Sequence, residues 1–272
     1  MFTCLVTGAN SGIGLAASVE LARRGYLVVL GCRDRGRGEK AVAEVVEKSG
    51  GRAELLLLDL ASLKSVREAA AELKRRHPAL NVLVNNAGLW SRRRRQTVDG
   101  LESTFAVNHL GHFVLTLELL DALKAGAPSR VVNVSSEAHR WAQWDWGDVQ
   151  RERRWSGVRA YSDSKLANIW FTRELARRLP PGVTANAVHP GGIATGIFRE
   201  APAWARGLFD LVLPGPEKGA APVVRLACEP ALDGVSGRYF SRFDEKPPTA
   251  AGRDDAQAAR LWELSERLSA AR

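Results

Sequence analysis

Three glycines divide the stretch Thr7-Gly8-Ala9-Asn10-Ser11-Gly12-Ile13-Gly14, and this stretch decides how the chain folds. An apolar run from Phe2 to Thr7 precedes it, and a helical pattern from Gly14 to Arg24 follows it. A buried strand that turns sharply into a helix gives this order of residues. The glycines permit a tight turn, a close approach of the backbone to a ligand and close packing of the helix. The stretch therefore predicts a phosphate-binding turn at the amino terminus of the first helix.

Apolar runs and helical patterns alternate along the rest of the chain. The runs are short and mostly β-branched or leucine-rich, which is typical of strands buried on both faces. Strict alternation predicts right-handed crossovers and a parallel, doubly wound sheet with helices on both faces, with a ligand crevice at the carboxyl ends of the strands. The predicted strands are Phe2 to Thr7, Leu27 to Leu30, Ala53 to Leu58, Val82 to Asn85, Arg130 to Val134 and Thr184 to Val188, with an edge strand at Gly237 to Phe240. The predicted helices are Gly14 to Arg24, Lys40 to Lys48, Leu63 to Arg76, Leu101 to Lys124, Tyr161 to Leu179 and Asp254 to Leu268.

One domain accounts for the whole chain. Its 272 residues, 45% of them apolar, suffice for a large core, and no linker or internal repeat interrupts the pattern. The formal net charge of +9 has its densest clusters at Arg92 to Arg95 and at Arg151, Arg153 and Arg154. Because these clusters fall in predicted surface turns without a nucleic-acid motif, we expect solvated side chains and no nucleic-acid binding. Salt-dependent retention of DNA, abolished by substituting Arg92 to Arg95, would reverse that expectation.

The cysteines and histidines form no metal or redox spacing. Cys4, Cys32 and Cys228 are scattered, which is typical of reduced thiols in a cytoplasmic protein. The five histidines carry no zinc signature, and we predict no metal. The apolar run from Phe2 to Thr7 is too short to span a bilayer, so we also expect no membrane anchor.

A second stretch, Tyr161-Ser162-Asp163-Ser164-Lys165, lies in a predicted helix. Residues four apart share a helix face, so the phenol of Tyr161 and the ammonium of Lys165 are expected to project into one cleft. A free tyrosine has a pKa near ~10, and poising it for proton transfer near pH 7 needs about 4 kcal/mol of preferential stabilisation of the phenolate. An adjacent cation in a partly dry site is expected to supply most of it. Together with the glycine turn, the pair indicates hydride chemistry on a dinucleotide.

The end of the second strand decides between NAD and NADP. Gly31-Cys32-Arg33-Asp34 is predicted to reach the adenosine ribose there. A guanidinium pairs with a 2′-phosphate, whereas a carboxylate accepts from a free 2′-hydroxyl. Arg33 favours NADP, and a small change of register would bring Asp34 to the ribose and favour NAD. We expect NADP, with NAD as the alternative.

With these residues, the chain resembles the short-chain dehydrogenase/reductase family over essentially its whole length. The shared motifs, in the family's order, are Thr-Gly-x3-Gly-Ile-Gly at 7–14, Asn-Asn-Ala-Gly at 85–88, Asn108, Ser136, Tyr-x3-Lys at 161–165 and Pro-Gly at 190–191. Finer features are similar to the retinol dehydrogenase-like subgroup: Cys32-Arg33-Asp34, Leu58 to Ser62, Val107 to Phe113, Ser164 to Asn168 and His189-Pro190-Gly191. The resemblance implies an α/β, single-domain Rossmann-type fold. Residues 1–100 would mainly bind the cofactor, and residues 101–272 would supply catalysis and substrate binding.

The resemblance also implies four catalytic residues. Tyr161 would be the general acid in carbonyl reduction and the general base in alcohol oxidation. Lys165 would lower the pKa of Tyr161 and hold the nicotinamide ribose. Ser136 would hydrogen-bond the reacting oxygen as charge grows on it. Asn108 would bend its long helix and hold a water that relays protons to the lysine.

A larger set of residues is implied to bind the dinucleotide. Asp59 would accept from the adenine amino group, and Thr195 would meet the nicotinamide carboxamide. Many NADP-preferring relatives carry Lys or Arg just before the second glycine, where this chain has Ser11. The implied set is Gly8, Asn10, Ser11, Gly12, Ile13, Gly14, Arg33, Asp59, Leu60, Asn86, Ala87, Gly88, Tyr161, Lys165, Pro190, Gly191 and Thr195.

Aromatic residues suggest the substrate class. Trp141, Trp144, Trp146 and Trp155 lie between Ser136 and Tyr161, and further apolar residues from Phe198 to Leu211 follow Thr195. If these side chains line the crevice, the substrate is a lipophilic aldehyde, ketone or alcohol; the alternative is that they pin two loops to the sheet. Family members commonly form homodimers or homotetramers through the helices after Leu101 and Tyr161. The alternative function is a non-catalytic dinucleotide-binding redox sensor, which the intact Ser136, Tyr161 and Lys165 disfavour.

Overall fold

Eight strands form one sheet in the computed structural model, which describes residues 2–192 and 215–270. The strand order is β3-β2-β1-β4-β5-β6-β7-β8; the first seven strands run parallel, and β8 pairs antiparallel with β7. The order reverses between β1 and β4, which opens a crevice at the carboxyl ends of the strands. The bounds are β1 (Thr3–Thr7), β2 (Leu27–Cys32), β3 (Arg52–Leu57), β4 (Val82–Asn85), β5 (Ser129–Val134), β6 (Val183–His189), β7 (Tyr239–Ser241) and β8 (Asp244–Glu245).

Helices pack on both faces of this sheet, so the predicted doubly wound α/β fold is confirmed. One cluster of buried side chains joins the sheet to α3, α5, α7 and α9, and a second joins it to α1, α2 and α8. The helices are α1 (Gly12–Arg23), α2 (Arg35–Ser49), α3 (Leu63–Arg76), α4 (Ser103–Phe105), α5 (Gly111–Glu118), α6 (Leu120–Ala125), α7 (Gly157–Arg178), α8 (Pro216–Cys228) and α9 (Asp255–Ala270). Within the described ranges, none of them is both long and apolar enough to cross a bilayer.

Element boundaries differ from the predictions where side chains cap helices. Helix α2 begins at Arg35 rather than Lys40 because the Asp34 carboxylate accepts from Arg37 N at 2.8 Å. Helix α7 begins at Gly157 rather than Tyr161, with Ser156 as its cap. The single helix predicted from Leu101 is three helices, α4 to α6, with a π-helical turn between the first two. Helix α8 and strand β8 were not predicted.

The carboxyl-terminal helix α9 covers the outer faces of α5 and α7. Trp262 packs edge-on against Phe113 with ring centroids 5.0 Å apart, and the guanidinium of Arg178 lies 4.4 Å from its ring. Phe171 joins the same cluster. Ala160, Ala167, Ile169 and Phe171 of α7 are all buried within this single chain.

Candidate active site

The glycine turn between β1 and α1 has the backbone of a phosphate cradle. Gly8 and Gly12 have positive φ angles of 64° and 56°, which residues with a Cβ rarely adopt. A Cβ on Gly14 would lie 2.6 Å from the carbonyl oxygen of Gly8. Helix α1 starts at Gly12 without a side-chain capping hydrogen bond. Its first N–H groups therefore suit the pyrophosphate of a dinucleotide.

The Asn-Asn-Ala-Gly turn after β4 braces that cradle. Asn86 Nδ2 donates to Thr7 O at 2.8 Å, and the backbone N–H groups of Asn86 and Ala87 both donate to Thr7 Oγ1. Thr7 Oγ1 also lies 2.8 Å from His112 Nε2. Asn86 and Ala87 thus hold the end of β1 in place. Sequence reasoning missed His112, which the apolar pattern of its helix gave no reason to single out.

At the end of β2, the two candidate ribose ligands have different surroundings. Arg33 is exposed, whereas the Asp34 carboxylate caps α2 through Arg37 N. That hydrogen bond, helped by the nearby charge of Arg37, holds the pKa of the exposed Asp34 carboxyl below its usual value. The guanidinium of Arg37 lies 3.5 Å from the same carboxylate, so a second cation stands beside Arg33.

The other predicted dinucleotide ligands lie along the same edge of the sheet. Asp59 follows β3 and accepts from Ala61 N at 3.0 Å, and Leu60 is buried against Gly111. Pro190 is buried after β6, and Gly191 has a φ of 105°. Thr195 lies outside the described residues, as do the apolar residues from Phe198 to Leu211.

Ser136, Tyr161 and Lys165 meet at the carboxyl end of β5. The side chain of Ser136 hydrogen-bonds the phenol of Tyr161 and also accepts from Ala138 N at 3.1 Å. Lys165 Nζ lies 5.5 Å from the centroid of the Tyr161 ring and donates to Val134 O at 3.0 Å. A Cβ on Gly88 would lie 3.6 Å from that ammonium, so this glycine leaves room beside it.

Burial dominates the ionisation of this pair. Desolvation raises the pKa of Tyr161 to about 12, and the hydrogen bond from Ser136 opposes the rise. Desolvation also lowers the pKa of Lys165 from 10.5 to about 8. The sequence predicts a lowered pKa for Tyr161, and the chain by itself gives the opposite direction because the low-dielectric surroundings disfavour the phenolate. The phenol therefore holds its proton at neutral pH, as a general acid must.

Asn108 lies in the π-helical turn Ala106–Leu110, where the long predicted helix departs from α-helical geometry. Its Oδ1 accepts from Leu89 N at 2.8 Å, and its Nδ2 donates to Leu89 O and to Ser164 Oγ, both at 2.9 Å. Ser164 Oγ in turn donates to Tyr161 O at 2.7 Å. The side chain thus ties the Asn-Asn-Ala-Gly turn to the catalytic helix. Sequence reasoning missed Ser164, although it lies inside the Tyr-x3-Lys motif.

The segment between Ser136 and Tyr161 packs differently from the expectation for a crevice wall. Trp144 and Trp146 pack against Trp170 with ring centroids 5.2 and 6.1 Å apart, so they pin the segment to α7. Trp141 is 68% exposed. Arg151, predicted to lie on the surface, is 7% exposed and pairs with Asp163. Arg151 is buried rather than on the surface because the Asp163 carboxylate on α7 neutralises its guanidinium.

Other features of the described residues do not compete with this crevice. A cavity of about 300 Å³ between α7 and the β7–β8 edge includes neither Tyr161 nor Lys165. Within residues 2–192 and 215–270, no three His, Cys, Asp or Glu side chains are grouped to hold a metal ion. A phosphate cradle and a Ser–Tyr–Lys group at one crevice indicate a dinucleotide-dependent oxidoreductase.

Comparison with known proteins gives the same class. The sequence model described as short chain dehydrogenase matches residues 3–206. The chain is 44% identical to retinol dehydrogenase 14 of Mus musculus, over 97% of this chain and 84% of that protein. It is 45% identical to dehydrogenase/reductase SDR family member 13 of Homo sapiens, over 98% of this chain and 73% of that protein. The chain therefore belongs to the short-chain dehydrogenase/reductase family and is retinol dehydrogenase-like, an NAD(P)-dependent oxidoreductase acting on CH–OH groups.

Solved structures share the fold. An uncharacterised protein from Mycobacterium paratuberculosis superposes with a TM-score of 0.80 at 34% identity, covering 99% of this chain and 94% of that one. A protein described as an NAD(P)-dependent gluconate 5-dehydrogenase from Beutenbergia cavernae, with NADP bound at low occupancy, gives a TM-score of 0.71 at 29% identity, covering 88% of this chain and 94% of that one.

Proposed function

We propose that the protein transfers a hydride between NADP and a lipophilic aldehyde, ketone or alcohol, with Tyr161 as general acid and base. The observation that carries the proposal is the hydrogen bond between Ser136 and Tyr161 beside the buried ammonium of Lys165. When bound, the dinucleotide supplies or accepts the hydride. In the reduction, Tyr161 donates its proton to the carbonyl oxygen, and the Ser136 hydroxyl orients that oxygen. In the oxidation, Tyr161 receives the proton, and the charge of Lys165 stabilises the phenolate.

Two cations favour NADP over NAD in this proposal. Arg33 is exposed at the end of β2 and Arg37 lies close by, so both guanidiniums suit a 2′-phosphate. The Asp34 carboxylate already accepts from the backbone of α2, which weakens the NAD alternative. Ser11 in place of a basic residue is compatible with NADP because Arg37 adds a second positive charge.

The lipophilic substrate class has two supports. The relatives matched over nearly the whole chain include several named retinol dehydrogenases. The exposed Trp141 is the last residue of the short helix Glu137–Trp141, which begins next to Ser136. We further propose a cytoplasmic location, in keeping with the three free cysteines. A homo-oligomer would need a surface other than the faces of α5 and α7 that α9 covers.

A cofactor titration tests the NADP assignment. Nicotinamide fluorescence is followed as the purified protein, its Arg33→Ala variant and an Arg267→Ala control are titrated with NADPH and NADH. We expect Arg33→Ala to weaken NADPH binding by about 10- to 100-fold, the range for a lost charged hydrogen bond, and to leave NADH binding unchanged. Arg267, exposed on α9, is expected to have no effect. Tighter binding of NADH by the wild type would contradict the assignment.

A further inference from the structure

A buried ion pair lies next to the catalytic residues without being part of them. Arg151 and Asp163 are each 7% exposed, and Asp163 stands midway between Tyr161 and Lys165 on α7. Asp163 Oδ2 accepts from Arg151 Nη2, and Oδ1 accepts from Gln143 N at 2.8 Å. Arg151 Nη2 also donates to Gln143 O at 2.6 Å. One carboxylate therefore holds both ends of the segment between Gln143 and Arg151 against the catalytic helix.

Gln150, the residue before Arg151, contacts the start of the helical stretch that carries Asn108. Gln150 Oε1 accepts from Glu102 N at 2.7 Å. The Glu102 carboxylate caps α4 by accepting from Thr104 N and Phe105 N, and α4 leads directly into the π-helical turn that carries Asn108. Glu102, Arg151 and Asp163 also line one small cavity. The dipeptide Gln150-Arg151 thus bridges the start of the Asn108 helix and the Tyr161 helix.

The backbone of this bridge is strained. Arg151 has a φ of 50°, which a residue with a Cβ adopts at a cost of about 1 to 2 kcal/mol. Its N–H donates to Asp148 O at 2.9 Å and closes a tight turn. Strained backbone of this kind persists where surrounding contacts over-determine it, as the bonds to Asp163, Gln143 and Glu102 do here.

We propose that Gln150-Arg151, through the pair of Arg151 with Asp163, is a positioning brace that sets the spacing of Asn108, Tyr161 and Lys165. The inference rests on the proposed function. Ser164, next to Asp163, accepts from Asn108, and Lys165 contacts β5, so a shift of α7 at Asp163 changes several of these contacts together. A displacement of about 1 Å is enough to lower a rate constant by up to about 100-fold.

An ion pair that only stabilises the fold and one that positions the catalytic helices predict different results for substitutions of Arg151 and Asp163. Removing one partner of a buried ion pair leaves an uncompensated charge, whereas replacing both with neutral residues often restores stability. If the pair merely stabilises the fold, a double substitution recovers kcat together with stability. If it positions the helices, the double variant is stable but remains slow.

The experiment compares Arg151→Met, Asp163→Asn and the double variant, in which the amide oxygen introduced at position 163 can still accept from Gln143 N. The matched control is Arg173→Met, which removes another ion-pair partner of α7, with Asp255 on α9, three helical turns beyond Tyr161. Thermal midpoint, kcat, NADPH dissociation constant and amide hydrogen exchange are measured for each variant.

We expect the double variant to regain most of the thermal midpoint and to bind NADPH within about threefold of wild type, while kcat stays at least about tenfold low. Amide exchange should rise in residues 103–108 and 158–166. Arg173→Met should lose stability without these changes.

A double variant with wild-type kcat and exchange, or a control with the same kcat loss, overturns the proposal of a brace. If the single variants fail to fold, the double variant decides. If the wild type turns over no carbonyl, the proposed function fails, and amide exchange alone decides the brace.

Discussion

Lys165 is 2% exposed, and burial lowers the pKa of its ammonium from 10.5 to about 8. The unfolded chain therefore binds more protons than the folded chain between pH 8 and pH 10.5 at this site. The buried ammonium destabilises the fold fully below pH 8, and this destabilisation disappears as the pH rises from 8 to 10.5. The shift corresponds to about 3 kcal/mol, which is the stability given up to keep a cation beside Tyr161.

Substitution of Lys165 by Met should separate stability from activity. We expect Lys165→Met to raise the free energy of unfolding at pH 7 by about 1 to 2 kcal/mol, since the hydrogen bond to Val134 O is lost while the buried charge is removed. The gain should vanish near pH 10.5, and turnover should be lost. Urea unfolding at pH 7 and 10.5 measures the stability change and an activity assay measures turnover, with the exposed Lys124→Met as control. A variant less stable than wild type by the same amount at both pH values would contradict the charge argument.

At the scale of single elements, we expect helix α9 to stabilise the fold mainly through one buried aromatic ring, that of Trp262. Trp262 is 5% exposed and packs against Phe113, Phe171 and Arg178. Trp262→Ala should lower the free energy of unfolding by about 3 to 5 kcal/mol, the usual cost of truncating a buried tryptophan. Trp141→Ala is the matched control, because that ring is 68% exposed and its loss should cost under about 1 kcal/mol. Equal losses in urea unfolding would show that α9 does not depend on this contact.

Local patterns sufficed to predict most elements. Continuous apolar runs predicted β1, β2 and β4 to β6 within about two residues, because strands buried on both faces need such runs. The Tyr161 and Lys165 pair was found because four residues separate them on one helix. The start of α2 was missed because it depends on a cap by Asp34 rather than on apolar periodicity.

The features that the sequence did not predict depend on contacts between distant parts of the chain. Arg151 looked like a surface residue, since its partner lies on another element and is reached from a left-handed turn. The direction of the Tyr161 pKa shift depends on how much protein surrounds the ring, which no spacing rule conveys. Trp144 and Trp146 were left open between crevice and core, and Trp170 on α7 decides for the core.

For the whole molecule, buried histidines predict loss of stability in acid. Burial lowers the pKa of both His109 and His112 from 6.5 to about 3. Below pH 6.5 the unfolded chain takes up protons that the folded chain refuses, so stability present above pH 6.5 is lost as the pH falls toward 3. The raised pKa values of Glu102 and Asp163 act in the opposite direction and moderate the loss.

The two histidines together should give a slope approaching about 3 kcal/mol per pH unit below pH 5.5. Urea unfolding between pH 4.5 and pH 7 measures that slope. His109→Gln should reduce the slope by up to about 1.4 kcal/mol per pH unit, the share of one histidine, because Gln does not titrate. An unchanged slope in that variant would mean that groups other than the buried histidines govern acid unfolding.

The measurement that bears most directly on the proposed catalysis is the rate of NADPH oxidation with a panel of long-chain aldehydes and ketones, for wild type, Tyr161→Phe and the control Tyr26→Phe. We expect wild type and Tyr26→Phe to turn over at equal rates. Tyr161→Phe should be slower by at least about 100-fold, the usual worth of a general acid, while its NADPH dissociation constant changes little. Turnover by Tyr161→Phe at the wild-type rate would contradict the assigned role of this residue, and NADPH binding without turnover by the wild type would favour the redox sensor instead.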